Sequence, residues 1–209
     1  MPLDCAALRI CLVTDRDLSR GRSLVEIVEA AARGGATMVQ LREKAATTRA
    51  FLEEARALKA YLVARGIVFI VNDRVDIALA VDADGVHVGQ SDMPVEDVRR
   101  LVGPQKIVGL SITNAAEMTR PDAQEADYLG VGPVYAQQTK PDATPPLGIE
   151  GFRRLRAMAR KPVVAIGGLT PENSAPVLAA GADGLAVVSA IVAADDPEAA
   201  TRRFARLFQ

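Results

Sequence analysis

The sequence predicts an α/β chain folded as a (β/α)8 TIM barrel, one domain over residues 1–209, and three observations predict it. Eight short apolar runs, ICLVT, MVQLR, VFIV, GVHVG, IVGL, YLGVG, VVAI and GLAVV, are spread along the chain. They are near-continuous rather than alternating, as strands buried on both faces must be. Amphipathic stretches separate most of them, so strand and helix alternate and the sheet is parallel. Each run also stops abruptly at polar residues or glycine: Thr14-Asp15, Arg42-Glu43-Lys44, Asn72-Asp73, Gln90-Ser91-Asp92, Ser111, a loop holding Thr139-Lys140, Gly167-Gly168 and Ser189. In such a barrel all C-terminal strand ends meet on one face, where the chemistry is placed.

Taken in order, the elements carry their own start and stop signals. Ser23 with Glu26 three residues on forms a capping box that opens a helix through Arg33. Gly34-Gly35 then turns the chain into the second strand. Thr48 caps a long helix whose apolar stripe is Phe51, Leu52, Ala55, Leu58 and Leu62, and Gly66 stops it. Pro94 with Glu96 and Asp97 starts the fourth helix, and Thr170-Pro171-Glu172 the seventh. The one long irregular stretch, 133–148, carries four prolines. Loops of that length inside compact domains are usually lids or binding loops, a surface excursion being the alternative.

Composition limits the partners. With 209 residues and 49% hydrophobic content the chain can build a large core. Trp is absent and aromatics are 4%, so aliphatic side chains must do the packing, as barrel interiors filled by branched residues require. A formal net charge of −1 gives no field for nucleic acid or an anionic membrane, so an anionic ligand must be held by locally placed groups. Cys5 and Cys11 lack metal-ligand spacing and read as reduced thiols. With no basic leader before a long apolar stretch, a cytoplasmic setting is expected.

The strand ends hold the candidate chemistry. Asp73 and Asp92 follow neighbouring strands; two carboxylates with open positions suit Mg²⁺, while capping of the following helices is the other reading. Gln40, Arg42 and Lys44 alternate and so point to one side, presenting two cations apt for a diphosphate, unless Glu43 neutralises one of them. Gly167-Gly168 and Val188-Ser189 end the seventh and eighth strands, where loops of this fold often hold a phosphate; a tight turn with positive φ explains the glycines equally well. His87, the only histidine, points inward by the period of its strand and reads as a supporting residue. There is no Ser-His-Asp arrangement, P-loop or dinucleotide fingerprint.

Several of these segments together carry a resemblance. QLREK at 40–44, VNDRVDIALAVDADGVHVGQSD at 71–92, GLS at 109–111, ADYLGVGPVY with TKPDA within 126–143, AIGGLTPEN at 165–173 and GADGLAVVSAI at 181–191 resemble the thiamine-phosphate synthase family, in order and over nearly the whole chain. The resemblance implies a barrel transferase that joins 4-amino-2-methyl-5-hydroxymethylpyrimidine diphosphate to a thiazole phosphate with Mg²⁺, releasing diphosphate. It assigns the pyrimidine diphosphate to the 40–44 run (Gln40, Arg42, Glu43, Lys44), Asn72, Ser111 and Lys140, and the metal to Asp73 and Asp92. The thiazole phosphate falls to Gln137, Gln138, Thr139, Gly168, Val188 and Ser189, and the chemical step to Lys140, Arg42 and Ser111. The chain departs from the family's Pro-Thr-x-Thr-Lys run: it reads Ala136-Gln137-Gln138-Thr139-Lys140, with an amide at Gln137 where a threonine hydroxyl is usual. Two other readings stay open: a thiazole tautomerase-like isomerase, and a non-catalytic paralogue that binds precursors. The expected partners are the two small substrates, without nucleic acid or membrane, and a homo-oligomer is left open.

Overall fold

Eight parallel strands close into a barrel in sequence order, β1 to β8, with β8 hydrogen-bonded back to β1. The structure, a computed structural model, describes residues 3–136 and 145–209. A 3-10 turn at Cys5–Leu8 leads into β1 (Ile10–Val13) and α1 (Leu24–Arg33); β2 (Met38–Leu41) and α2 (Thr48–Val63) follow. Next come β3 (Val68–Asn72), α3 (Val75–Ala80), β4 (Gly85–Val88), α4 (Val95–Val102) and β5 (Ile107–Ile112). Two short helices, α5 (Ala115–Met118) and α6 (Pro121–Glu125), precede β6 (Tyr128–Val131) and α7 (Gly148–Met158). The chain ends with β7 (Val163–Ile166), α8 (Ala175–Ala179), β8 (Gly184–Val187), α9 (Ser189–Val192) and α10 (Pro197–Ala205). Among the described residues no helix is long and apolar enough to cross a membrane.

Local signals act mostly where the sequence puts them. Ser23 and Glu26 make the full capping box of α1. The stripe of α2 buries Phe51, Ala55, Leu58 and Leu62, and truncating a buried side chain such as Phe51 to Ala removes about 3–5 kcal/mol in comparable cores. Two expected starts are displaced. Thr47, not Thr48, caps α2, its hydroxyl accepting from the Ala50 amide. Thr170-Pro171-Glu172 forms a turn, closed by Asn173 Oδ1 accepting from the Thr170 amide at 2.8 Å, and α8 begins only at Ala175. A side-chain-closed turn satisfies the same backbone groups that a helix start would.

The register of the barrel is pinned at its N-terminal rim by a device repeated along the chain. Thr37, Asp84, Asp127 and Asp183 each stand immediately before an even-numbered strand, and each accepts the amide of the preceding odd-numbered one. The donors are Ile10 (3.0 Å), Phe69 (2.8 Å), Val108 (2.8 Å) and Val163 (2.7 Å). A basic residue from the helix before each odd-numbered strand locks the aspartate: Lys59 on Asp84 at 2.7 Å, Arg99 on Asp127 at 2.6 Å and Arg156 on Asp183 at 3.4 Å. Charge-assisted acceptance of otherwise unpaired strand amides fixes which residue of each strand faces inward, since a one-residue slip would turn every side chain over.

With register set, the barrel separates into two cores. The outer one lies between sheet and helices. The inner one is filled by Leu8, Cys11, Val13, Met38, Ile70, Tyr128, Val164 and Ala186. The two cysteines are free thiols in opposite settings: Cys5 is exposed, while Cys11 lies inside the barrel, where burial pushes its thiol up to about 12. Because only the thiolate reacts, native protein should consume one equivalent of an aromatic disulfide reagent quickly at pH 8, and two after denaturation. Rapid reaction of both thiols in the native state would show that the barrel interior opens readily.

Candidate active site

The C-terminal mouth is assembled from strand ends that brace one another. At β2, Thr14 receives the Arg42 amide on its hydroxyl at 2.9 Å, and its own amide donates to the Gln40 carbonyl at 3.0 Å. This holds the 40–44 segment against β1 beyond the last ladder bond. Arg42 is about one-fifth exposed and pairs with Asp15 at 3.3 Å, and Lys44 is exposed. Glu43 neutralises neither of them. Its buried carboxylate takes the Arg16 guanidinium at 2.5 Å, and Arg16 also grips Glu54 of α2 at 2.8 Å. The structure thus turns Glu43 away from the two cations, because Arg16 on the first loop supplies a nearer counter-charge. Its visible role is to fasten the loop that presents Arg42 and Lys44.

Asp73 and Asp92 come together at the ends of β3 and β4. Partial burial, then the neighbouring Asp92 carboxylate, hold the Asp73 carboxyl above the usual range, with Arg42 and Lys44 pulling the other way. Asp92, Arg42 and Lys44 are thus near enough to Asp73 to bear on its charge. Neither aspartate caps a helix. The N-terminal position of α3 is Arg74 and that of α4 is Pro94, both without a side-chain cap, and Asp92 Oδ2 instead accepts the Gly89 amide at 2.8 Å. Asp73 adopts φ 60°, a left-handed conformation that short polar residues tolerate best. Two like charges held side by side are unfavourable unless a proton or a cation stands between them. Among the described residues no group of three or more metal-ligating side chains occurs. A cation here would therefore take two protein carboxylates and complete its shell with water or ligand oxygens, the pattern that suits Mg²⁺.

Below this mouth lies a polar chain across the barrel interior. His87 on β4 is 6% exposed; its Nδ1 lies 2.9 Å from the Tyr128 hydroxyl and its Nε2 2.9 Å from Ser111 Oγ. Burial pushes the Tyr128 phenol up, with the Gln40 side chain pulling the other way, and Gln90 Nε2 donates to the Ser111 carbonyl at 2.7 Å. Burial pushes the His87 imidazole down to about 4, against the pull of Asp92, so it is neutral at pH 7. The space for this pair is made by Gly109, where a Cβ would stand 2.3 Å from the Tyr128 ring and 2.5 Å from His87 Nδ1. The inward aspect expected of His87 is observed. Tyr128 and Gln90 escaped the sequence reading. The available signal was glycine inside the fifth strand, which marks close approach of another group.

The ends of β7 and β8 complete the ring. Gly167 and Gly168 both have positive φ, 101° and 64°, and a Cβ on Gly168 would meet the Ala136 carbonyl at 2.5 Å. The turn explanation therefore holds, and close docking of the segment after β6 adds to it: the Val134 and Tyr135 amides donate to Ile166 and Gly167 carbonyls at 2.8 and 3.0 Å. Val188 precedes α9 and Ser189 is its first residue, exposed beside the mouth. Asn72 closes β3 at the same face. Gln137, Gln138, Thr139 and Lys140 lie outside the described residues. A cleft of about 510 Å³ opens at the opposite, N-terminal rim beside Ala6, Ala36 and Gly66. None of the predicted site residues lines it, and its arginines are engaged, Arg33 with Glu198 and Arg65 with Tyr61.

Cations and paired carboxylates at the C-terminal mouth of a (β/α)8 barrel define a protein equipped to hold a multiply charged phosphorylated small molecule. Comparison with known proteins narrows the class. The family model described as thiamine monophosphate synthase matches residues 10–191. The thiamine-phosphate synthase of Chloroflexus aurantiacus is 55% identical over 199 residues, covering 95% of this chain and 92% of its own. That of Albidiferax ferrireducens is 51% identical over 201 residues, covering 96% and 92%. The solved thiamine phosphate pyrophosphorylase of Pyrococcus furiosus superposes with a TM-score of 0.88 at 38% identity, covering 97% of this chain and 96% of that one. The chain belongs to the thiamine monophosphate synthase family.

The buried imidazole makes a pH prediction. Unfolded His87 takes a proton below about 6.5, whereas the folded one resists down to about 4. In that window the unfolded state binds more protons, so the contribution is intact above pH 6.5 and is lost as pH falls toward 4. Relative to His87→Gln, which does not titrate, the parent should lose up to about 3 kcal/mol across this interval in urea unfolding. A difference independent of pH would mean that the imidazole is not held neutral.

Proposed function

We propose that this chain is a thiamine-phosphate synthase, joining 4-amino-2-methyl-5-hydroxymethylpyrimidine diphosphate to a thiazole phosphate and releasing diphosphate. The observation that carries the reading is the meeting of Asp73 and Asp92 beside Arg42 and Lys44 at the barrel mouth. That set can take a diphosphate as a metal complex, and the reaction needs a diphosphate to leave. Asp73 and Asp92 would hold Mg²⁺, which when bound supplies Lewis-acid neutralisation of the diphosphate oxygens.

The chain's own residues do the rest. In the step, the bond between the pyrimidine methylene carbon and the diphosphate oxygen breaks, and its electron pair stays on the oxygen. The thiazole nitrogen lone pair then forms the new bond to that carbon. Arg42 and Lys44 balance the charge growing on the leaving oxygen, where fixed cations act more strongly than in water. Lys140, by its place in the family motif, would join them. Gln40, Asn72 and Ser111 stand where the pyrimidine end would rest, and Gly168, Val188, Ser189, Thr139 and Gln137 would take the thiazole phosphate. Holding both partners in line shortens the lifetime required of the cationic carbon. Glu43 contributes through Arg16, by fixing the loop that carries the two cations.

The reading is tested by product formation from the two purified substrates with Mg²⁺ and with excess EDTA. Asp73→Asn or Asp92→Asn should lower turnover at least about a hundredfold, on the scale of losing a charged stabiliser of the departing group, with the unfolding transition retained. Undiminished turnover in EDTA would remove the metal from the account. Isomerisation of a thiazole without condensation would replace the synthase by the tautomerase reading.

A further inference from the structure

The turn after β7 is held by its carbonyls. The Tyr135 N–H donates to the Gly167 carbonyl at 3.0 Å, and Asn173 Nδ2 donates to the Gly168 carbonyl at 2.9 Å. Asn173 Oδ1 takes the Thr170 amide at 2.8 Å. A carbonyl only accepts and a backbone N–H only donates, so these two partners fix which end of the Asn173 amide is which. The Tyr135 hydroxyl then donates to the Asn173 carbonyl at 3.0 Å, closing a ring of contacts from Tyr135 through the turn to Asn173 and back. Ser174, fully buried, braces the same turn, its hydroxyl donating to the Thr170 carbonyl at 2.6 Å.

Peptide planarity converts those bonds into aim. In a trans peptide the carbonyl and the N–H that follows it point in opposite directions. Holding the Gly167 carbonyl on Tyr135 therefore turns the Gly168 N–H away from the segment after β6. Holding the Gly168 carbonyl on Asn173 likewise turns the Leu169 N–H away from the segment that leads into α8. We propose that Tyr135 and Asn173 are positioning residues for the phosphate of the second substrate, a clasp that keeps the Gly168 and Leu169 N–H groups aimed at it. This deepens the synthase reading and rests on its placing of the thiazole phosphate at Gly168; the clasp itself does not. Positive φ at both glycines lets the two planes take up this arrangement without strain. Contact leaves no room for another residue: a Cβ on Gly168 would stand 2.8 Å from Tyr135 Cβ, and one on Gly167 2.6 Å from Pro133 Cα. Donors fixed in this way need no reorganisation when the anion arrives.

Calorimetric titration with the thiazole phosphate and with the thiazole alcohol, the same ring without its phosphate, tests this in the presence of Mg²⁺ and inorganic diphosphate. The parent should bind the phosphate more tightly than the alcohol. Asn173→Ala should weaken the phosphate about tenfold, the scale of one misdirected hydrogen bond to an anion, and the alcohol less than about twofold. The KM for the pyrimidine diphosphate should also move less than about twofold. A merely structural role would weaken all three ligands alike, and that result would overturn the proposal. So would a parent that binds phosphate and alcohol equally. Tyr135→Phe keeps the ring and removes only the hydroxyl that reaches Asn173, and it should cost about threefold on the phosphate alone. It also serves should Asn173→Ala fail to fold: no loss, or an equal loss on the alcohol, would sink the idea. A parent that makes no product yet prefers the phosphate, and loses that preference in the variants, would refute the synthase reading and leave the clasp standing.

Discussion

Strand register is the constraint on which the rest of this molecule depends. A closed barrel has no free edge, but every strand must enter at the right residue, or its inward and outward side chains exchange places. Thr37, Asp84, Asp127 and Asp183 settle that at the N-terminal rim by taking strand amides that have no ladder partner there. Lys59, Arg99 and Arg156 hold three of the four acceptors in place. Fixed at the bottom, the same strands deliver Gln40, Asn72, His87 and Ser111 to the top of the interior, one turn of the pleat below the charged mouth. The stability device and the site lie at opposite ends of the same strands, and the first determines the second.

The site itself is organised by unequal burial. The mouth keeps Asp73, Asp92 and Lys44 open to solvent, so their charges can meet a ligand and exchange ions. The layer beneath is closed, neutral and fully hydrogen-bonded; among the described residues no buried side-chain polar atom lacks a partner. A neutral layer of fixed dipoles under a charged one gives orientation without competing for the ligand's charge. The loop ion pairs belong to the same scheme. Asp15 restrains Arg42, and Arg16 restrains Glu43, so the cationic segment is held before a ligand arrives.

Much of this was legible in the sequence because buried parallel strands are read as apolar runs and their ends as polar stops. Arg42 and Ser111 could be found that way, as the first polar residues past a run, and Asp73 and Asp92 as the acids one and two places further on. The capping box at Ser23 and Glu26 was equally plain, both partners being local. What escaped was non-local. That Glu43 belongs to Arg16 depends on two loops meeting across 27 residues of sequence. Tyr128 joins the site from 41 residues away, as part of a strand whose other residues are only packing. Thr-Pro-Glu at 170–172 suits a helix start and a turn equally, and Asn173 reaching back makes the choice. The rim aspartates look like ordinary loop residues until strand pairing shows which amides they accept.

The central claim is that the paired aspartates and the two cations of the second strand together hold a metal-bound diphosphate. A crystal structure of the protein soaked with Mn²⁺ and inorganic diphosphate, with anomalous scattering recorded for the metal, tests it most directly. The account predicts a metal peak between the Asp73 and Asp92 carboxylates, with the diphosphate bridging from it to Arg42 and Lys44. A diphosphate bound away from that point, or a metal peak at other ligands with Asp73 and Asp92 uncoordinated, would contradict it.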